Sequence, residues 1–221
     1  MEVLTYGNPA ADILLVQMVD DHDLAVIENE TAYIRELSGG QDFCLKAVKV
    51  NSWNSDLSPW QAPAVFGNEA FGNGAAKTLD CLLQSVVPGQ NTAAGEDAKM
   101  TFIGGYSLAG LFALWAGYQT DRFDGIAAAS PSVWFPYFTV YMQDNRIHAD
   151  KIYLSLGDRE EKTRNPVMSQ VGNAIRKAHD LLTDSGADCV LEWNKGSHFK
   201  DPDLRTARAF AWLMNRRNPA K

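Results

Sequence analysis

Cysteine is scarce in this chain, and what there is does not pair. Cys44, Cys81 and Cys189 stand singly within apparent strands or helices. An odd number at unrelated spacings argues against a disulfide framework and fits buried thiols in a reducing compartment. Long apolar runs are missing too, and no stretch approaches the roughly 20 residues of a membrane span. The opening Met1-Glu2-Val3-Leu4-Thr5-Tyr6-Gly7 lacks the basic region and apolar run of a signal peptide. A cytoplasmic protein is therefore expected. Basic charge is also in deficit: 20 Lys and Arg against 27 Asp and Glu leave a net charge of −7. That argues against a nucleic-acid partner, which needs a basic face, and mildly against an anionic membrane. Repeats and Gly/Ser/Pro-rich linkers are absent. The 221 residues are expected to form one domain, 1–221, with a core of its own.

What is present is an alternation of short apolar runs with helical periodicity, the pattern of a parallel sheet covered by helices. Ile13–Val19 is a continuous apolar run and a candidate buried strand. Helical spacing over 23–37 ends at Ser38-Gly39-Gly40, and 43–50 is the next strand. A helix is predicted over 71–87, stopping at Pro88-Gly89. Met100–Tyr106 and 123–129 read as strands around a helix at 108–118. Strands at 152–156 and 189–193 and helices at 166–182 and 202–214 complete six strands in an order compatible with right-handed crossovers. The expected class is α/β, a doubly wound and mostly parallel sheet. The tail from Asn215 to Lys221 carries no pattern.

The densest chemical signal is Thr101-Phe102-Ile103-Gly104-Gly105-Tyr106-Ser107-Leu108-Ala109-Gly110. It reads as a buried strand, a tight turn with serine at its apex, and a helix that starts at once. Small flanking residues let the backbone make that turn, which exposes the hydroxyl at the end of the strand. A serine hydroxyl is a weak nucleophile until a base takes its proton. In a sheet of this kind, ligands bind at the carboxyl ends of the strands. Two later strand ends supply what is needed. Leu156-Gly157 runs into Asp158-Arg159-Glu160-Glu161, and the last strand into Asn194-Lys195-Gly196-Ser197-His198-Phe199. Serine, acid and histidine thus occur in the chain order of this fold. Ser107 is the candidate nucleophile and His198 the candidate general base. Glu160 is preferred as the orienting acid, three residues after Gly157, with Asp158 as the alternative. One oxyanion donor is expected from the amide of Leu108 at the start of the helix. The second is expected from the loop after the first central strand, around Met18 and Val19.

These residues resemble the esterase branch of the α/β-hydrolase superfamily. It includes esterase D-type S-formylglutathione hydrolases, enterochelin-type siderophore esterases and mycolyltransferases. The resemblance spans residues 13–214. Its more specific parts are Gly105-Tyr106-Ser107-Leu108-Ala109-Gly110, Trp53-Asn54-Ser55-Asp56-Leu57-Ser58-Pro59-Trp60 and Gly196-Ser197-His198-Phe199. It implies a serine hydrolase acting on a small-molecule ester without a cofactor, and it puts Met18 in the place of the oxyanion-hole residue. The chain departs from the pattern where Ala109 replaces the usual final glycine of the serine turn. It departs again where the antiparallel strands preceding the first central strand are missing or reduced to residues 3–6. That leaves no room for a large lid and hints at an exposed sheet edge, hence a possible homo-oligomer.

Other features have plainer readings. Asp20-Asp21-His22-Asp23 is read as an acidic helix start rather than a metal site, since no second cluster has ligand spacing. His148 and His179 are read as structural, and the basic run 205–217 as a solvated helix face. Trp53 and Trp134 follow strand ends, as does Trp60, where they either line a substrate pocket or pack loops onto the sheet. Trp115, Trp193 and Trp212 are expected in the core. Two other functions share this pattern: an acyltransferase using the same acyl-enzyme, and a catalytically silent binding protein that keeps the fold.

Overall fold

The computed structural model describes residues 1–87 and 100–216. Strand β1 (Glu2–Gly7) leads into β2 (Ile13–Val19), helix α1 (Asp21–Leu37), β3 (Cys44–Lys49) and the short helix α2 (Trp53–Asp56). Helix α3 (Ala75–Ser85) comes next, then β4 (Met100–Tyr106) running straight into α4 (Leu108–Gln119). Strand β5 (Gly125–Ala129), α5 (Phe138–Asp144) and β6 (Lys151–Gly157) come after it. Helix α6 (Val171–Asp184), β7 (Asp188–Asn194) and α7 (Pro202–Asn215) complete the described chain.

The apolar runs become strands because both faces of the sheet are covered. Every residue of β2 is buried, as expected when helices pack on both sides of parallel strands. The sheet order is β1-β3-β2-β4-β5-β6-β7. All neighbours are parallel except β1, which pairs antiparallel with β3 at one edge. Side chains alternate along β2: Leu14, Val16 and Met18 enter the apolar cluster on one face, while Ile13, Leu15 and Val19 enter the other. Helix α4 is buried from Leu108 to Tyr118, all round its circumference, and forms the centre of the first layer. Helices α1 and α7 cover the opposite face, their Ile27, Ile34, Phe210 and Leu213 meeting Leu15 and Phe102.

Several sequence expectations need correction. There are seven strands among the described residues, because residues 2–7 form a full edge strand. The helix predicted over 71–87 begins only at Ala75; Phe71 instead forms an isolated bridge with Ala62, and its ring packs on Phe135 at 5.2 Å. Its expected stop at Pro88-Gly89 lies outside the described residues. The helix predicted from 166 starts with a 3-10 turn at Met168–Gln170 and becomes α-helical at Val171. Trp193 is 40% exposed rather than core, with the Arg176 guanidinium 4.8 Å from its ring. It lies on an edge strand, where one flank has no neighbour to cover it. Cys44 is buried, Cys81 and Cys189 are half-buried, and all three are free thiols.

The acidic segment at the start of α1 is a helix cap. Asp20 accepts hydrogen bonds from the amides of His22 and Asp23, and the Asp23 carboxylate accepts one from the Asp20 amide. This reciprocal box satisfies donors that have no intrahelical acceptor and places negative charge at the positive end of the helix dipole.

Candidate active site

Ser107 sits between β4 and α4 with φ 57° and ψ −118°, a positive-φ conformation that costs a non-glycine residue about 1–3 kcal/mol. The surroundings enforce it. The Ser107 amide donates to Ala129 O at 3.1 Å, and Ser107 O accepts from Leu111 N and Ser132 N at 3.1 and 3.0 Å. Gly105 makes the sharp turn possible, because a Cβ there would lie 2.6 Å from the Cβ of Ala109. The same contact accounts for alanine at position 109: its methyl rests on the space that Gly105 leaves.

The carboxyl ends of β4, β5, β6 and β7 lie side by side, since these strands are parallel and consecutive in the sheet. Each contributes a segment to one site. His198, after β7, places Nε2 3.0 Å from Ser107 Oγ. Its Nδ1 lies 2.7 Å from Oε2 of Glu160, which comes after β6. An ionised carboxylate only accepts, so Nδ1 carries the proton and Nε2 is left to accept from the serine hydroxyl. Of the two candidate acids, Glu160 therefore meets His198. Asp158 turns away and accepts from the Gly196 amide at 2.8 Å. That hydrogen bond, with help from Arg159 and Lys162, holds the exposed Asp158 carboxyl below its ordinary value.

Glu160 is almost fully covered, its side chain 4% exposed. Burial pushes its pKa upward, but bonds from His198, the Gly157 amide and the Ser130 hydroxyl outweigh it and hold the carboxyl below its ordinary range. Three groups converge on Oε1: the Gly157 amide at 2.7 Å, Ser130 Oγ at 2.9 Å and Arg205 Nη1 at 3.0 Å. Gly157 is glycine by necessity, as a Cβ would meet Gly196 O at 2.5 Å and Glu160 Oε1 at 2.9 Å.

Sequence reasoning missed three residues of this cluster. Arg205, expected on a solvated basic face, is buried with its side chain 2% exposed. Its position was legible: it lies four residues before Ala209 and eight before Leu213, on the buried stripe of α7. Only the rest of the basic run fits the expectation in part, with Arg208 and Arg216 half-exposed in ion pairs with Glu192 and Asp188; residue 217 lies outside the described residues. Tyr106, beside the serine, donates its hydroxyl to the His198 carbonyl at 2.6 Å. Burial and the nearby Glu160 carboxylate push its phenol up to about 12, so it remains a donor through the neutral range. Ser130 has no sequence signal beyond its place at a strand end; its φ of 42° aims the hydroxyl at Glu160.

Leu108 is the first residue of α4, where the main-chain amide has no intrahelical acceptor. Met18 and Val19 lie at the end of β2 rather than in a loop, because α1 is capped immediately by Asp20. The Met18 side chain is buried in the apolar cluster, leaving only its main chain for any polar role. Trp134 is half-buried in the turn after Ser132, its ring 6.2 Å from Phe66 and 6.1 Å from Phe71. Trp60 joins the same aromatic layer, 5.7 Å from Phe135, with its indole N–H donating to Pro136 O at 3.0 Å. Trp53 opens α2 and packs half-buried on the same apolar cluster. The loop after β6 is tied to this layer by Asn165, which donates to Val65 O at 2.7 Å. Phe199, next to His198, is 87% exposed. His148 is exposed and His179 half-buried on α6. Among the described residues, no group of three or more His, Cys, Asp or Glu is arranged to hold a metal ion.

No protein-family model matches this chain, and no curated protein matches it. Solved structures do. An IroE-like serine hydrolase from Shewanella oneidensis aligns with 96% of this chain and 75% of its own, at 14% identity and a TM-score of 0.75. The siderophore hydrolase EstA from Aspergillus nidulans aligns with 94% of this chain and 84% of its own, at 19% identity and a TM-score of 0.70. The enterobactin and salmochelin hydrolase IroE aligns with 97% and 88%, at 14% identity and a TM-score of 0.62. At such identities the likeness establishes the architecture: the chain has an α/β-hydrolase fold.

Proposed function

We propose that this protein is a serine esterase that cleaves a small or medium carboxylic ester or thioester through an acyl-enzyme on Ser107. The observation that carries the reading is the unbroken hydrogen-bonded chain from Ser107 Oγ through both nitrogens of His198 to Glu160, mounted on a strained turn. In this mechanism His198 takes the Ser107 proton as Oγ attacks the acyl carbon, then gives it to the departing alcohol or thiol. Water, deprotonated by the same imidazole, releases the acid and restores the serine. Glu160 fixes the imidazole tautomer and stabilises its charged form. The oxyanion is received by the Leu108 amide and by the main chain at Met18. Trp53 and Trp134 lie on the substrate side, the acyl or alcohol group resting on the aromatic layer. The structural neighbours carry names of siderophore and enterobactin hydrolases, which supports ester cleavage in general.

A series of p-nitrophenyl esters of graded acyl length, with one thioester, tests the proposal. The wild-type protein is expected to turn over part of the series, and Ser107→Ala to lose activity by about three orders of magnitude or more. Folded wild-type protein inert toward every member would overturn the reading.

A further inference from the structure

We propose that Arg205 is a positioning residue of this site, holding acid and base in register across four strand ends. The inference rests on the serine-hydrolase reading. Nη1 of Arg205 lies 3.0 Å from Tyr106 Oη, 3.3 Å from Ser130 Oγ and 3.0 Å from Glu160 Oε1. Nη2 donates to Ser197 O at 3.1 Å and Lys195 O at 3.4 Å. These acceptors stand at the ends of β4, β5, β6 and β7 in turn. One side chain thus touches every segment that carries a member of the Ser107, Glu160 and His198 chain.

A buried charge is a poor way to gain stability, since an apolar residue of the same volume usually does as well. What the guanidinium supplies is geometry. Its planar fork has donors in fixed directions. By occupying Oε1, it leaves Oε2 as the oxygen that faces His198. By gripping the carbonyls of Lys195 and Ser197, it fixes the loop that presents the imidazole. Tyr106 extends the grip, accepting from Arg205 and donating to the His198 carbonyl. The anchor itself is rigid, because Asp201 and Pro202 start α7 one turn earlier and Arg205 N bonds Asp201 O at 3.0 Å.

The charge has a second consequence. Glu160 after β6 bonds the imidazole, the Tyr106 ring from β4 lies 5.1 Å from it, and Arg205 from α7 holds the far oxygen of Glu160, while Lys195 of the His198 loop acts on the exposed Asp158. Removing the buried cation leaves Glu160 as an uncompensated anion, which favours a proton on the neighbouring base. The acid limb of the kcat/KM profile should then move to higher pH.

The test compares Arg205→Met, Arg205→Lys and, as a control on the same helix, Arg208→Met. Arg208 is half-exposed and, among the described residues, bonds Glu192 and Asn194. For Arg205→Met, kcat on a p-nitrophenyl ester should fall about ten- to a hundred-fold with KM little changed. Its acid limb should rise by about half a pH unit to one unit. Arg205→Lys should recover the limb position but only part of kcat, and Arg208→Met should match wild type. A folded Arg205→Met whose kcat and pH profile match wild type would overturn the proposal. Should Arg205→Met fail to fold, Tyr106→Phe decides: a roughly ten-fold loss of kcat supports the network, and wild-type kcat overturns it. The far-downfield proton resonance of the His198–Glu160 hydrogen bond gives a readout independent of turnover. It should be present in wild type and lost or broadened in Arg205→Lys; persistence unchanged contradicts the positioning role. Wild type that shows this resonance yet hydrolyses no ester would overturn the esterase reading alone.

Discussion

Glu160 divides its two oxygens between two tasks, one facing the imidazole and one held by the Gly157 amide, Ser130 and Arg205. Glu160→Gln is expected to reduce kcat by about two to four orders of magnitude, because an amide in place of the carboxylate upsets the imidazole tautomer. Asp158→Asn should stay within a few-fold of wild type, because its exposed carboxylate accepts from the Gly196 amide rather than from His198. Steady-state kinetics on the same ester checks both, and the reverse ranking would reassign the acid. Ser107 and His198, which the structure brings within 3.0 Å of each other, were legible as site candidates because each stands at a strand end in a recognisable local pattern. The acid was ambiguous, since two carboxylates two positions apart in one turn look alike in sequence. Which of the two meets His198 follows from hydrogen bonds: Asp158 N to Asn194 O, Arg159 N to Gly196 O and Glu160 N to Gly157 O. Those bonds curl the turn so that only position 160 points inward.

At the scale of elements, α1 carries an acid that the site does not use. Glu30 is buried against β2, where the Gln17 amide reaches it at 3.4 Å. Burial first, then the nearby Asp23 and Asp203 carboxylates, hold its pKa well above the ordinary 4.5, against a lowering from Gln17. The folded state therefore binds a proton that the unfolded chain releases. That contribution to stability is fully present below pH 4.5 and declines as pH rises toward the folded-state value. Glu30→Gln should remove this decline: its Tm should fall less between about pH 5 and 8 than that of wild type. Parallel Tm curves, measured by circular dichroism, would contradict the account. Helix periodicity made α1 and most of α7 readable. It did not reveal the start of α3, because Phe66, Phe71 and Trp134 hold that segment in an aromatic layer whose partners are distant in sequence. The same distance hid the role of Arg205, whose side-chain acceptors all lie on other elements.

For the molecule as a whole, the doubly wound order was evident from alternating apolar runs, and it determines where chemistry gathers. Strands β4 to β7 are adjacent and parallel, so residues 107, 130, 160 and 198 converge at the carboxyl ends of these strands. The seventh strand was less visible: β1 is a half-exposed edge strand with no continuous apolar run to announce it. What the topology assembles is a serine whose hydroxyl has a base within reach. The most direct measurement of that claim is labelling with a fluorophosphonate probe and mass analysis of the modified peptide. Wild-type protein should gain one adduct, located on Ser107, while folded Ser107→Ala gains none. Folded wild type that takes up no probe, or a Ser107→Ala variant that labels as readily, would contradict it.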